Sequence, residues 1–131
     1  MAYLISYRKA SDQYTDYILA APEGSTELCT IDGVTYVSIP DGQVLPSQPE
    51  QISSSVSEVT LTDELRADIH NASIHIAVIS KRVAEQISQR YSVTDEIKLL
   101  RTAPSEEFDI YNEYAESCRA WGRAEKAKLG L

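Results

Sequence analysis

The hydrophobic period of this chain changes once, across residues 40–57, and that change limits the architectures open to it. Before it, branched and aromatic residues come in short strand-like runs; after it, apolar residues recur at spacings of three and four, as on helices. The segment between carries Pro40, Pro46 and Pro49, Gly42 and the run Ser53-Ser54-Ser55. Proline donates nothing to a hydrogen-bond ladder and the serines offer little apolar area, so 40–57 reads as an extended polar linker. The expected fold class is α+β: a small antiparallel β-sheet with a hairpin in residues 1–39, the linker, and a helical bundle or helical hairpin over residues 58–131.

Within the first segment the firmest signal is Leu28-Cys29-Thr30-Ile31-Asp32-Gly33-Val34-Thr35-Tyr36-Val37-Ser38-Ile39. Asp-Gly between two strand-like runs suits a type I′ turn, whose two central residues both need positive φ, so a hairpin is expected. Tyr3 to Arg8 and Tyr17 to Ala20 read as two further short strands, separated by the polar Ser11-Asp12-Gln13. A β-piece of about 45 residues buries too little surface to stand alone, so it is expected to dock on the helices or to oligomerise.

The helical half opens at Thr62 or Asp63, either of which serves as an N-cap before acidic first-turn residues. Asn71-Ala72-Ser73 either breaks this helix or lets it run on. Ile76, Ile79, Val83 and Ile87 then mark one face of an amphipathic helix that Tyr91 continues. Ser92 with Asp95 forms a capping box with Asp in the usual Glu position, starting a short helix that carries Ile97 and Leu100. After Pro104-Ser105, the series Phe108, Tyr111, Ala115, Cys118 and Trp121-Gly122 indicates a long last helix with a basic end before Gly130. These stripes leave a self-contained bundle and a helix-mediated homo-oligomer both open.

The net charge of −8 is uneven: residues 1–60 carry two basic against eight acidic side chains. Phosphate contacts need a concentrated basic surface, so nucleic acid is not an expected partner. The N-terminus lacks the basic stretch and long apolar run of a signal peptide, and no apolar run approaches the ~18 residues that span a bilayer. Cys29 and Cys118 read as free thiols rather than a disulfide framework. His70 and His75 lie about 140° apart on a continuous helix and share no ligand face, so no metal is expected. Carboxylates gather at helix starts, where the macrodipole accounts for them, and no phosphate loop, nucleophile elbow or CxxC pair is present. The chain therefore reads as non-enzymatic, with no cofactor.

The stretches Ile31-Asp32-Gly33-Val34-Thr35-Tyr36-Val37, Arg90-Tyr91-Ser92-Val93-Thr94-Asp95-Glu96-Ile97-Lys98-Leu99-Leu100-Arg101-Thr102-Ala103-Pro104, and Cys118-Arg119-Ala120-Trp121-Gly122-Arg123-Ala124-Glu125-Lys126-Ala127-Lys128-Leu129 together resemble small proteins of tailed-phage and prophage tail modules. The resemblance implies a protein-binding role in tail or tail-fibre assembly, as a chaperone or a minor tail component, in the host cytoplasm or the virion tail. A different class of role, an acidic inhibitor of a host defence or nucleic-acid-binding complex, fits the charge. Eight tyrosines and one tryptophan supply large, polar-tipped contact area. The expected contact surfaces are the last helix, through Tyr111, Tyr114 and Trp121, and the hairpin, through Tyr36; the alternative use of each ring is core packing.

Overall fold

Asp32 and Gly33 have φ of 51° and 79°, the pair of positive values that a type I′ turn demands. In the computed structural model, which describes residues 2–131, this turn joins β4 (Thr26–Ile31) to β5 (Val34–Ile39). The pairing runs from Ile31↔Val34 to Thr26↔Ser38, with a bulge between Glu27 and Cys29. β1 (Tyr3–Tyr7) lies antiparallel on the other side of β5, from Tyr3↔Ile39 to Tyr7↔Thr35. Ala10–Ser11 (β2) and Asp16–Tyr17 (β3) make a separate two-residue ladder, so the strand expected over Tyr17 to Ala20 is shorter than its composition suggested. Leu19 leaves that ladder to be buried in the core.

Residues 40–57 are not a linker, and this corrects the expectation from composition. Glu50–Ser53 forms a helical turn (α1), and Ser57–Glu58 forms β6, which pairs with β1 to complete the sheet order β4-β5-β1-β6. Ile52 is fully buried, and Leu45 and Val56 pack beside it. The polar residues that suggested a solvated chain instead satisfy backbone groups. The Gln48 side-chain amide accepts from Ala20 N (2.7 Å) and donates to Ala20 O (2.8 Å), Tyr3 Oη donates to Gln43 O (2.8 Å), and Arg8 N donates to Ser55 Oγ (3.0 Å). Paired backbone is what lets an irregular segment pack against a core.

The sheet is covered on both faces, as alternation along β1 requires. Ile5 and Tyr7 join Val37, Ile39, Leu19 and Ile52 on one face. Leu4 joins Leu28 and Ile69 on the other, with Leu65, Leu129 and Leu131 packed around them. Ile69 and Leu65 belong to α2 (Asp63–Ala72), whose start is capped by Thr62 Oγ accepting from Leu65 N at 3.1 Å. The β-rich piece thus obtains the helical cover that its small size needs.

Compact units divide at neither residue 40 nor residue 58. One comprises residues 2–77 with Lys126–Leu131, the other Val78–Glu125. Side-chain burial on the sheet, not composition, assigns α2 and the chain's last residues to the first unit. The second is built from α3 (Ile74–Arg90) beyond Ala77, α4 (Val93–Arg101) and α5 (Glu106–Lys128) up to Glu125. Ser92 and Asp95 form the expected capping box, with Asp95 N donating to Ser92 Oγ (3.1 Å) and Ser92 N to Asp95 Oδ2 (3.0 Å). Ile87, Tyr111, Ala115 and Cys118 form its buried cluster, and Gly122 is buried as well. No helix among the described residues is long and apolar enough to cross a membrane.

Candidate interaction surface

The aromatic side chains of the helical unit converge on one another. Tyr91 meets Tyr111 edge-on with ring centroids 4.9 Å apart and Tyr114 at 5.9 Å, while Phe108 lies 6.2 Å from Tyr111. The Arg90 guanidinium sits 4.8 Å from the centre of the Tyr114 ring and 5.7 Å from that of Tyr91, within range of a cation–π attraction. Tyr114 Oη donates to Gln86 O at 2.7 Å, and burial, then the neighbouring Cys118, pushes its phenol up in pKa. Beside this cluster a groove of about 420 Å³ is lined by Arg90, Tyr91, Asp95, Lys98, Leu99, Glu107 and Ile110.

Of the expected contact residues, this arrangement takes Tyr111 out of reach and leaves Tyr36, Tyr114 and Trp121 half-buried. Tyr111 is only 6 % exposed and belongs to the core. Tyr114 is half-buried with its hydroxyl already bonded, Trp121 is half-buried, and Tyr36 packs against the Leu4–Leu28–Ile69 cluster on the sheet. Tyr36, Tyr111 and Tyr114 thus spend ring area on packing inside the chain. Tyr14 differs: it is 87 % exposed at the tip of the β2–β3 ladder. The loop is held by the Asp12 carboxylate, which accepts from Tyr14 N and Thr15 N and from Tyr17 Oη, all at 2.8 Å, and the Tyr14 N–H foremost keeps that carboxyl below its ordinary pKa.

Ile18, Val44, Ile74 and Val78 are exposed singly or in pairs, whereas α4, which has no buried residue, carries three exposed apolar side chains. Val93, Ile97 and Leu100, at spacings of four and three, fall within about 60° of the helix circumference. They are 73 %, 47 % and 62 % exposed. Ile110, on the first turns of α5 and on the groove wall, is a further 47 % exposed. Sequence periodicity marked Ile97 and Leu100 as one face of a helix. Nothing in the period tells a buried stripe from an open one.

Ion pairs among the described residues engage some of the charged side chains and leave others open, such as Arg82 on α3 and Glu107 and Glu113 on α5. Lys9 pairs with Glu27, Arg66 with Asp63, Lys81 with Glu85, and Glu116 holds both Arg119 and Arg123. Glu96 and Arg101 have no ion-pair partner among the described residues.

None of the remaining chemistry-bearing groups belongs to α4. Cys118 packs in the core with Ala115 and Tyr111, and Cys29 is half-buried, its thiol raised by burial and then by Glu27. His75 is exposed, while His70 Nε2 is sealed from solvent with no hydrogen-bond partner. No group of three or more His, Cys, Asp or Glu among the described residues is arranged to hold a metal ion. Comparison with protein-family models, with curated proteins and with solved structures gives no match to this chain.

Proposed function

We propose that the protein acts by binding another protein through the outer face of α4, and that it does so in the assembly of a phage tail or tail fibre. The observation that carries the binding reading is the open Val93–Ile97–Leu100 stripe on a helix with no buried residue. Their exposed fractions amount to nearly two whole aliphatic side chains, so covering the stripe is worth about 3–5 kcal/mol before the costs of association. A surface of this kind marks an interaction site on a small chain. The tail-assembly setting rests on the sequence resemblance in residues 31–37, 90–104 and 118–129.

The alternative of an acidic mimic of nucleic acid has less behind it. Such a mimic needs a dense negative face, whereas Glu27, Asp63, Glu85 and Glu116 are each engaged by a cation and Asp95 is engaged as a cap.

The test is recovery of partners from phage-producing cells with the tagged full chain, wild type against Ile97→Asp, read by mass spectrometry. A tail or fibre component is expected with the wild type and is lost with Ile97→Asp, while the variant remains folded and its thermal unfolding falls only modestly because Ile97 is about half exposed. Retention of that component by Ile97→Asp removes α4 from the reading, and recovery of a host nuclease instead removes the assembly role.

A further inference from the structure

We infer that residues Lys126–Leu131 form an acid-sensitive latch, closed over His70 of α2 and unseated from the sheet when that ring takes up a proton. All the groups involved belong to the unit of residues 2–77 with Lys126–Leu131.

The latch is a built turn. Leu131 N donates to Lys126 O (3.1 Å) and Gly130 N to Ala127 O (3.0 Å), the two bonds of a Schellman motif, with Gly130 at its left-handed position (φ 82°). The turn folds Leu129 and Leu131 back onto the cluster of Leu4, Leu28 and Ile69. A segment held by two leucines and one turn opens at a lower free energy than the strands it covers.

His70 follows Ile69 in α2. Its Nε2 is sealed from solvent without a hydrogen-bond partner, as is Ser73 Oγ about one turn further on. A neutral imidazole tolerates this, with Nε2 as its bare acceptor nitrogen. An imidazolium does not, because both ring nitrogens then donate and the new N–H meets neither an acceptor nor water. The charges acting on the ring are both positive: Lys126, where the latch begins, and Arg66, one helical turn earlier on α2 and itself held by Asp63 at 3.5 Å. The titratable side chains that the strands place in the same cluster, Cys29 of β4 and Tyr36 of β5, supply no negative charge in acid. Protonation therefore adds a third cation to this corner. The element that yields is the one held least: moving Lys126–Leu131 away separates Lys126 from the ring and admits water to Nε2, while α2 stays fixed by buried Ile69 and the Thr62 cap.

The experiment follows the full chain by NMR between pH 7.5 and 5.5. Amide exchange at Leu129, Gly130 and Leu131, corrected for the intrinsic pH dependence of exchange, is expected to accelerate by up to about ten-fold, since the open form takes up a proton near the ordinary value of about 6.5 and the closed form resists it. His70→Gln should abolish the acceleration. Linkage is reciprocal, so loosening the latch must raise the pKa of His70 towards its ordinary value. Gly130→Ala loosens it away from the ring, by straining a left-handed residue and setting a Cβ 3.1 Å from Ala2 O, and Leu131→Ala does so by removing apolar contact. The inference is overturned if His70 titrates alike in the wild type and both variants, or if it gains its charge while exchange at 129–131 stays constant, because the ring then turns out to solvent by itself. Equal acceleration at the amides of Ile5 and Val37 in the sheet also overturns it, since the opening would then be global unfolding.

Discussion

Gly122 is buried in α5, and a Cβ built on it would stand 2.6 Å from Val83 Cγ2 on α3. Two effects of opposite sign meet in Gly122→Ala. Alanine in mid-helix is favoured over glycine by about 1 kcal/mol, because the unfolded chain loses freedom. Against that, forcing a methyl into a filled contact costs about 1–3 kcal/mol. Valine is β-branched and held to one χ1 rotamer in a helix, so Cγ2 cannot swing aside and the helices must shift. The net expectation is destabilisation of about 0.5–2 kcal/mol. Val83→Ala supplies the control, since it removes the atom that clashes. In that background Gly122→Ala should be neutral or stabilising by up to about 1 kcal/mol, a coupling well outside the ~0.5 kcal/mol within which independent sites add. Urea unfolding followed by helical circular dichroism and by Trp121 fluorescence gives the four stabilities. If Gly122→Ala alone raises the midpoint, or if the two substitutions simply add, the close approach of α3 and α5 at this point is wrong.

Three further outcomes are expected. Ile52→Ala, in the segment that composition marks as a linker, should cost about 2–5 kcal/mol by urea unfolding because Ile52 is fully buried in the sheet core; a cost below about 1 kcal/mol would mean the segment is not packed there. Ser92→Ala should cost about 1 kcal/mol and shorten α4 by circular dichroism, since Asp95 N loses its acceptor. His70 has its pKa lowered by burial, then by Lys126 and Arg66, and its Nε2 lacks an acceptor, so the unfolded chain binds the proton more readily. Stability is therefore fully present above the ordinary imidazole value of about 6.5 and falls as pH drops from there towards the lower folded value. Thermal unfolding between pH 7 and 5.5 should show this slope, and His70→Gln should flatten it; an equal slope in the variant would assign it to other groups.

Local structure is legible in the sequence where one residue type has one physical use. Asp32-Gly33 gave the hairpin because both positions need positive φ, and Thr62 and Ser92 gave helix starts because their hydroxyls reach a backbone N–H. The stripe Ile76–Ile79–Val83–Ile87 gave α3 for the same reason, its period being that of a helix face. What failed was inference from composition over distance. Three prolines and a serine run look solvated, yet Ile52 packs against, and Gln48 and Ser55 hydrogen-bond to, residues far away in the chain, information that no window of the sequence contains. The unit boundary failed likewise. Only the contacts of Ile69, Leu129 and Leu131 with Leu4 and Leu28 show that α2 and the chain's end belong with the sheet.

The reversal at the interaction surface has a physical cause. A small helical unit has few positions that can be sealed from water, and large side chains seal them best, so Tyr111, Tyr91 and Phe108 are drawn inward with their edges packed on one another. Tyr114 can follow because its hydroxyl finds Gln86 O, which removes the cost of burying it. With the aromatics committed to the core, the smaller aliphatic residues of α4 are left outside, where no propensity requires them: Lys, Glu or Gln at Val93, Ile97 and Leu100 would serve a solvated helix as well or better. Their presence there exposes the free chain to association with other apolar surfaces. That liability is offset when a partner covers the stripe, and the same reasoning points to α4 rather than to the tyrosines as the place to introduce a charge when binding is to be abolished without unfolding the protein.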